Sequence, residues 1–233
     1  MHRINKEFDK VVCINLAERA DKREKIQKKF DRLGIEVEWY TAVQYGFIPN
    51  IVPVINQSGR GSFNAQHPYE FGAALSHYHV IRQALVEGAE SIFVFEDDVL
   101  FHKDFNARFD LYFNNLPPAW DFFLLYSFMY NWLPENTRIN AYWAKSWKSW
   151  SLMTYGMRKD FMEAYIARQN QHFTISDKVT FQMQEDPRWN CYSAVPSICL
   201  PDTYLGSNIR GENMNYEANP TVTNWGVPNE DYE

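Results

Sequence analysis

The chain has 233 residues and a formal net charge of −6, enough length for one large α/β domain with a full core and the wrong sign for a nucleic-acid partner. Aromatic residues make up 17% and charged residues 22%; mean hydropathy is −0.47 and no apolar run nears the ~20 residues that a membrane span needs, so only peripheral membrane association stays open. The first ten residues lack an apolar secretory core, which makes a cytoplasmic protein the expectation, and Cys13, Cys191 and Cys199 have neither the number nor the spacing of a disulfide framework or zinc site.

From the N-terminus, residues 10–16 read as a first buried strand, followed by a polar loop with Arg19 and with Asp21 placed to cap a helix. Ile26, Phe30 and Leu33 then fall at i, i+4 and i+7 on an otherwise charged helix that Gly34 stops. Residues 35–43 alternate as a second strand, so the chain opens like a doubly wound sheet. Residues 46–68 read as a long loop with one short strand at 51–55. A helix over 70–87 carries Phe71, Ala74, Leu75, Tyr78, Ile81, Leu85 and Val86 on its inner side.

The stretch Ser91 to Val99 is the most informative. Ile92 and Val94 alternate with Phe93 and Phe95, so both faces of the strand are apolar, as in the centre of an α/β sheet. The strand runs straight into Glu96, Asp97 and Asp98. In open α/β sheets ligands bind beyond the carboxyl ends of the strands, and adjacent carboxylates repel each other unless a cation joins them. Hard oxygen donors suit Mg²⁺ or Mn²⁺ holding substrate phosphates; a solvated acidic turn is the alternative.

Downstream, residues 104–115 read as a helix, 121–127 and 151–157 as strands, and 158–169 as a helix. Residues 129–150 interleave Tyr130, Trp132, Tyr142, Trp143, Trp147 and Trp150 with polar residues. Trp143, Trp147 and Trp150 share one face if the segment is helical, and read either as an exposed aromatic platform or as core. One domain over 1–212 and a poorly ordered or surface-draped tail over 213–233 are the expected organisation.

Ile14-Asn15-Leu16 with Arg19 and Arg23, then Ala42-Val43, Glu70 to His77, and Phe95 to Val99 stand in an order and spacing that resembles glycosyltransferase family 25, the group that includes lipooligosaccharide and collagen galactosyltransferases. The resemblance spans roughly residues 10–210. It implies a GT-A-like single domain, α/β with a mainly parallel central sheet flanked by helices. It also implies transfer of a hexose, galactose first, from a UDP-sugar to a glycan or hydroxylated acceptor, with Mn²⁺ or Mg²⁺ bound at the acidic motif. Asp98 and Glu96 are then the metal candidates, while Asn15, Leu16, Arg19, Ser76, His77, Glu96, Asp97 and Ser207 are the donor-site candidates. Asp177, opening a late helix, is the catalytic candidate, with a helix N-cap as its bland role, and Glu185 and Asp186 stand in reserve. Two departures mark the match: Gln44 stands where the family carries Asp, and Tyr69 where Gly precedes the Glu. A non-catalytic sugar- or nucleotide-sugar-binding protein is the competing expectation.

Overall fold

The computed structural model describes residues 1–44, 51–63, 69–129, 137–202 and 231–233. The chain opens with α1 (Ile4–Glu7), β1 (Lys10–Asn15), α2 (Ala20–Leu33) and β2 (Glu38–Thr41). Then come α3 (Ile51–Gln57), β3 (Gly61–Ser62), the long α4 (Tyr69–Val86), β4 (Ser91–Glu96), β5 (Val99–Phe101) and α5 (Phe105–Asn114). Five strands follow: β6 (Phe122–Leu124), β7 (Phe128–Met129), β8 (Trp143–Lys145), β9 (Ser149–Trp150) and β10 (Thr154–Arg158). The remaining elements are α6 (Lys159–Gln171), β11 (Phe173–Thr174), α7 (Ser176–Gln184), β12 (Cys191–Ala194) and β13 (Cys199–Pro201).

Seven strands form one sheet in the order β2-β1-β4-β10-β6-β12-β8. β1 runs parallel to β2 and β4, and β12 parallel to β6, whereas β10 opposes both its neighbours and β8 opposes β12. Five strands thus share one direction, which makes the sheet mixed but mainly parallel.

β4 is buried on both faces because its two residue sets feed two cores. Phe93 and Phe95 pack with Ile26 and Phe30 of α2 and with Phe105 and Phe109 of α5. Ile92 and Val94 pack with Val80, Ile81 and Ala84 of α4 and with Phe161 and Tyr165 of α6. Helices therefore cover both sides, as near-continuous apolar strands require. Gly34, at φ 72°, ends α2 in the left-handed conformation that glycine adopts without strain. At Gly156 on β10 a Cβ would lie 2.6 Å from the Phe123 ring, so only glycine lets β6 place that ring there.

Four local expectations are corrected. Residues 51–55 are helical, not a strand: Pro53 cannot donate to a sheet but is tolerated in a first helical turn. Helical spacing also brings Ile51, Val52 and Ile55 onto Phe63 and Phe71. Asp21 lies inside the first turn of α2 and pairs with Arg19, which occupies the cap position. The buried side of α4 includes His77, Val80 and Ala84, while Val86 is exposed. Trp143 and Trp150 lie on strands rather than one helix face; Trp143 is 1% exposed and donates its indole N–H to the Tyr112 carbonyl at 2.8 Å, so it is core.

Residues 213–230 of the expected tail lie outside the described residues. The last three residues return to the body of the fold: the Glu233 and Phe101 main chains exchange hydrogen bonds at 2.9 Å, and Tyr232 is buried with its hydroxyl donating to the Ser197 carbonyl. No helix among the described residues is long and apolar enough to cross a membrane.

Candidate functional site

Because β1 and β4 are parallel neighbours, with Ile14 opposite Glu96, their carboxyl ends share one edge of the sheet. Glu96 is the last residue of β4 and Asp97-Asp98 form the turn into β5. Asn15, at the end of β1, donates from Nδ2 to Asp97 Oδ2 at 2.7 Å and to the Arg19 carbonyl at 3.1 Å. The loop after β1 is thereby tied to the acidic turn. Arg19 itself is drawn to both oxygens of Asp21 at 2.9 Å.

Sequence reading missed the residue that answers the acidic motif. Lys22, in the first turn of α2, is 1% exposed, with Nζ 3.6 Å from Asp97 and 3.4 Å from Asp98. A lysine in a helix's first turn opposes the helix dipole and is almost never fully buried unless paired. Its signal was present: Lys22 lies four residues before Ile26 and extends the Ile26–Phe30–Leu33 stripe by one turn.

On the other side of the edge, α4 presents His77. Its Nε2 lies 3.1 Å from Glu96 Oε1 and its Nδ1 3.0 Å from the Tyr155 hydroxyl on β10. That fixes the ring between a carboxylate and a buried phenol. Ser76 serves the backbone instead, its hydroxyl donating to the Gly72 carbonyl and accepting the Val43 N–H at 2.8 Å, which pins the segment after β2 to α4. Gln44, one residue on, donates to Glu18. Leu16 accepts the Arg19 N–H at its carbonyl, closing the turn after β1.

Asp177 lies in the first turn of α7 and does not cap it; Ile175 occupies the cap position. The Asp177 carboxylate instead lies near the backbone N–H groups of Ser151 and Leu152 and interacts with the charges of Glu96 and His77. Glu185 and Asp186, beyond the far end of α7, pair with Lys148 and with Arg168 and Arg188. The Arg188 guanidinium beside Asp186 holds its carboxyl down at about 2. Ser207 lies outside the described residues, which break off after Asp202, whose N–H donates to the Asp98 carbonyl.

The electrostatics follow from this crowding. Burial, then the neighbouring Glu96 charge, pushes the Asp98 carboxyl up to about 7 against the pull of Lys22. Burial also raises Asp97, with Lys22 and Asn15 opposing. Asp177 is pushed up to about 6 by burial and by Glu96, with His77 and the two backbone N–H groups opposing. Beneath the motif, burial lifts the Cys13 thiol well above its ordinary value.

No three His, Cys, Asp or Glu side chains converge as a cage among the described residues. A divalent ion that uses one or two carboxylates plus substrate phosphates needs no cage. Lys22 engages Asp98 through Oδ2 and His77 engages Glu96 through Oε1. Carboxylate oxygens are the hard donors that Mg²⁺ and Mn²⁺ prefer. A cleft of about 550 Å³ lies at the opposite edge of the sheet, beside Ser91, Asp121 and Arg158, away from all these groups.

The family described as glycosyltransferase family 25 (LPS biosynthesis protein) matches residues 8–148, from β1 through the acidic turn to the Trp-rich strands. The chain belongs to this family. Human inactive glycosyltransferase 25 family member 3 is 32% identical over 111 residues, 44% of this chain and 18% of its own length. Procollagen galactosyltransferase 1-A of Xenopus laevis is 30% identical over 129 residues, 51% of this chain and 21% of its own. A glycosyltransferase 25 family member of Drosophila melanogaster is 28% identical over 109 residues, 43% of this chain and 18% of its own. This family 25 chain thus spans about a fifth of the length of the curated relatives it matches. A solved structure, of a glycosyltransferase involved in the glycosylation of the major capsid of PBCV-1, superposes on 78% of this chain and 69% of that one with a TM-score of 0.37 at 12% identity. Within the family match fall Asn15, Arg19, Lys22, His77 and the acidic turn; Asp177 lies beyond it.

Proposed function

We propose that this family 25 chain transfers a hexose, galactose first, from a UDP-sugar to a glycan or hydroxylated acceptor, with Mn²⁺ or Mg²⁺ at the acidic edge. The observation that carries the reading is the convergence of Glu96, Asp97, Asp98 and Asp177 on one edge of the sheet, with Lys22 as the buried counter-charge.

Asp98 and Glu96 would hold the cation, which when bound neutralises charge developing on the departing diphosphate. The chain's own residues do the rest. Asn15 and Lys22 orient Asp97, so that the turn presents its carboxylates in one arrangement. Arg19, at the cap of α2 and paired with Asp21, would meet donor phosphate or base by exchanging that partner. His77 fixes Glu96. Asp177 accepts the proton from the acceptor hydroxyl: a carboxyl at about 6 is ionised at neutral pH yet more basic than a solvated aspartate, the range that suits a general base.

A second reading, a sugar- or nucleotide-sugar-binding protein without turnover, is favoured by Gln44 at the departure from the family pattern and by the human relative named as inactive. UDP release from a panel of UDP-sugars with Mn²⁺ separates the two. Release with one sugar supports transfer, whereas nucleotide binding without release with any of them leaves the binding protein.

A further inference from the structure

Resting on the reading of Asp177 as the base, we propose that the exposed ring of Trp147 and the half-buried ring of Phe181, with the Lys148 ammonium, form a binding subsite for an acceptor sugar. Phe181 lies four residues after Asp177 on α7, hence on the same helix face and about 6 Å along it. That is roughly the span of one hexose ring. The Trp150 ring packs on Phe181 at 5.1 Å. Lys148 Nζ, paired with Glu185 at 3.2 Å, sits 4.8 Å from the Trp147 ring centre and 5.9 Å from that of Phe181. Trp147 is 42% exposed, which is unusual for so large a ring. Aromatic faces with a hydrogen-bond donor beside them match a sugar's apolar C–H face and its hydroxyls.

The backbone supplies an independent observation. The strap from Lys148 to Leu152 runs along α7, with Gln184 taking the Ser149 N–H at 2.8 Å and giving to its carbonyl at 3.0 Å. Lys148 and Ser151, neither of them glycine, hold φ of 54° and 93°. Such conformations cost free energy and persist where the surroundings impose them, often at ligand sites. Here the strap carries Ser151 close to Asp177 and places the Lys148 ammonium between the Trp147 and Phe181 rings. One strap therefore positions both the proposed base and the ring surface next to it.

The test is saturation-transfer NMR with methyl glycosides of glucose, galactose, mannose and N-acetylglucosamine, in the presence of UDP and Mn²⁺, on wild type and Trp147→Ala, with Phe181→Leu as the second variant. At least one glycoside should bind wild type and bind Trp147→Ala about tenfold more weakly, the scale of losing one aromatic contact, with an unchanged melting temperature. The proposal is overturned by silence from the whole panel, by equal binding to the variant, or by a melting-temperature drop of several degrees, which would make Trp147 part of the packed fold. UDP titrations on the same samples keep the two readings apart. Lost UDP binding in wild type sinks the nucleotide-sugar reading, while glycoside binding that depends on Trp147 still stands.

Discussion

Asp177→Asn tests the site through stability and turnover together. The carboxyl is pushed from 3.8 to about 6 by burial and by Glu96, a shift of about two units at roughly 1.4 kcal/mol each. Because the folded-state value is raised, the group's contribution favours the fold fully below about pH 4 and is lost as pH rises through about 6. Above pH 6 the ionised carboxylate therefore costs the fold up to about 3 kcal/mol. Asparagine keeps the shape and removes the charge. The variant should then match wild type near pH 4 and exceed it by about 1–3 kcal/mol at pH 8, measured by urea titration at both pH values. Its turnover should fall about 10²-fold or more, the scale of general-base catalysis, with UDP affinity retained, and wild-type activity should decline below about pH 6. A variant no more stable than wild type at pH 8 would refute the crowded-carboxylate argument; one with wild-type turnover would refute the base.

Lys22→Met should lose about 3–5 kcal/mol, the usual result of breaking a buried ion pair, and Mn²⁺ should restore part of that loss by replacing the missing charge. A denaturation midpoint indifferent to the substitution would mean that Asp97 and Asp98 are hydrated without the lysine. Asp98→Ala removes a carboxylate that is 24% exposed and repelled by its neighbours; its melting temperature should hold while Mn²⁺-dependent UDP binding disappears in isothermal titration, and unchanged affinity would dismiss Asp98 as a ligand. Trp143→Ala should cost about 3–5 kcal/mol, as truncation of a buried aromatic does, and a neutral result in calorimetry would contradict its place in the core.

The central strand and its acidic end are legible in the sequence because burial on two faces leaves a continuous apolar run, and a run that stops at three carboxylates has one place to go. The first long helix is legible for the same reason, through Ile26, Phe30 and Leu33. Residues 51–57 mislead because seven residues with Ile, Val and Pro carry little periodicity, and what decides them is contact with Phe71, far along the chain. Trp143 reads equally as platform or core, since a ring's fate depends on what covers it, and its cover is Tyr112 and Phe123 from separate elements. Asp177 has no local signature at all. The resemblance alone points to it, and only the packing of α7 against β9, α6 and α4 brings it toward Glu96.

Partners, rather than residue type, divide the labour among the four carboxylates at this edge. Asp97 accepts from Asn15 and lies 3.6 Å from Lys22, and Glu96 is met by His77; both are committed to protein partners that fix them in place. Asp98 shares the same lysine at 3.4 Å, so one ammonium answers two carboxylates, and the shortfall shows as a carboxyl pushed up to about 7. Asp177 is pushed up to about 6 by burial and by Glu96. A fold selected for stability alone would have neutralised both with further side chains or replaced them with apolar ones. The two carboxyls left short of counter-charge, Asp98 and Asp177, are assigned to a cation, which Asp98 shares with Glu96, and to a proton, the ligands that would supply the charge the fold withholds.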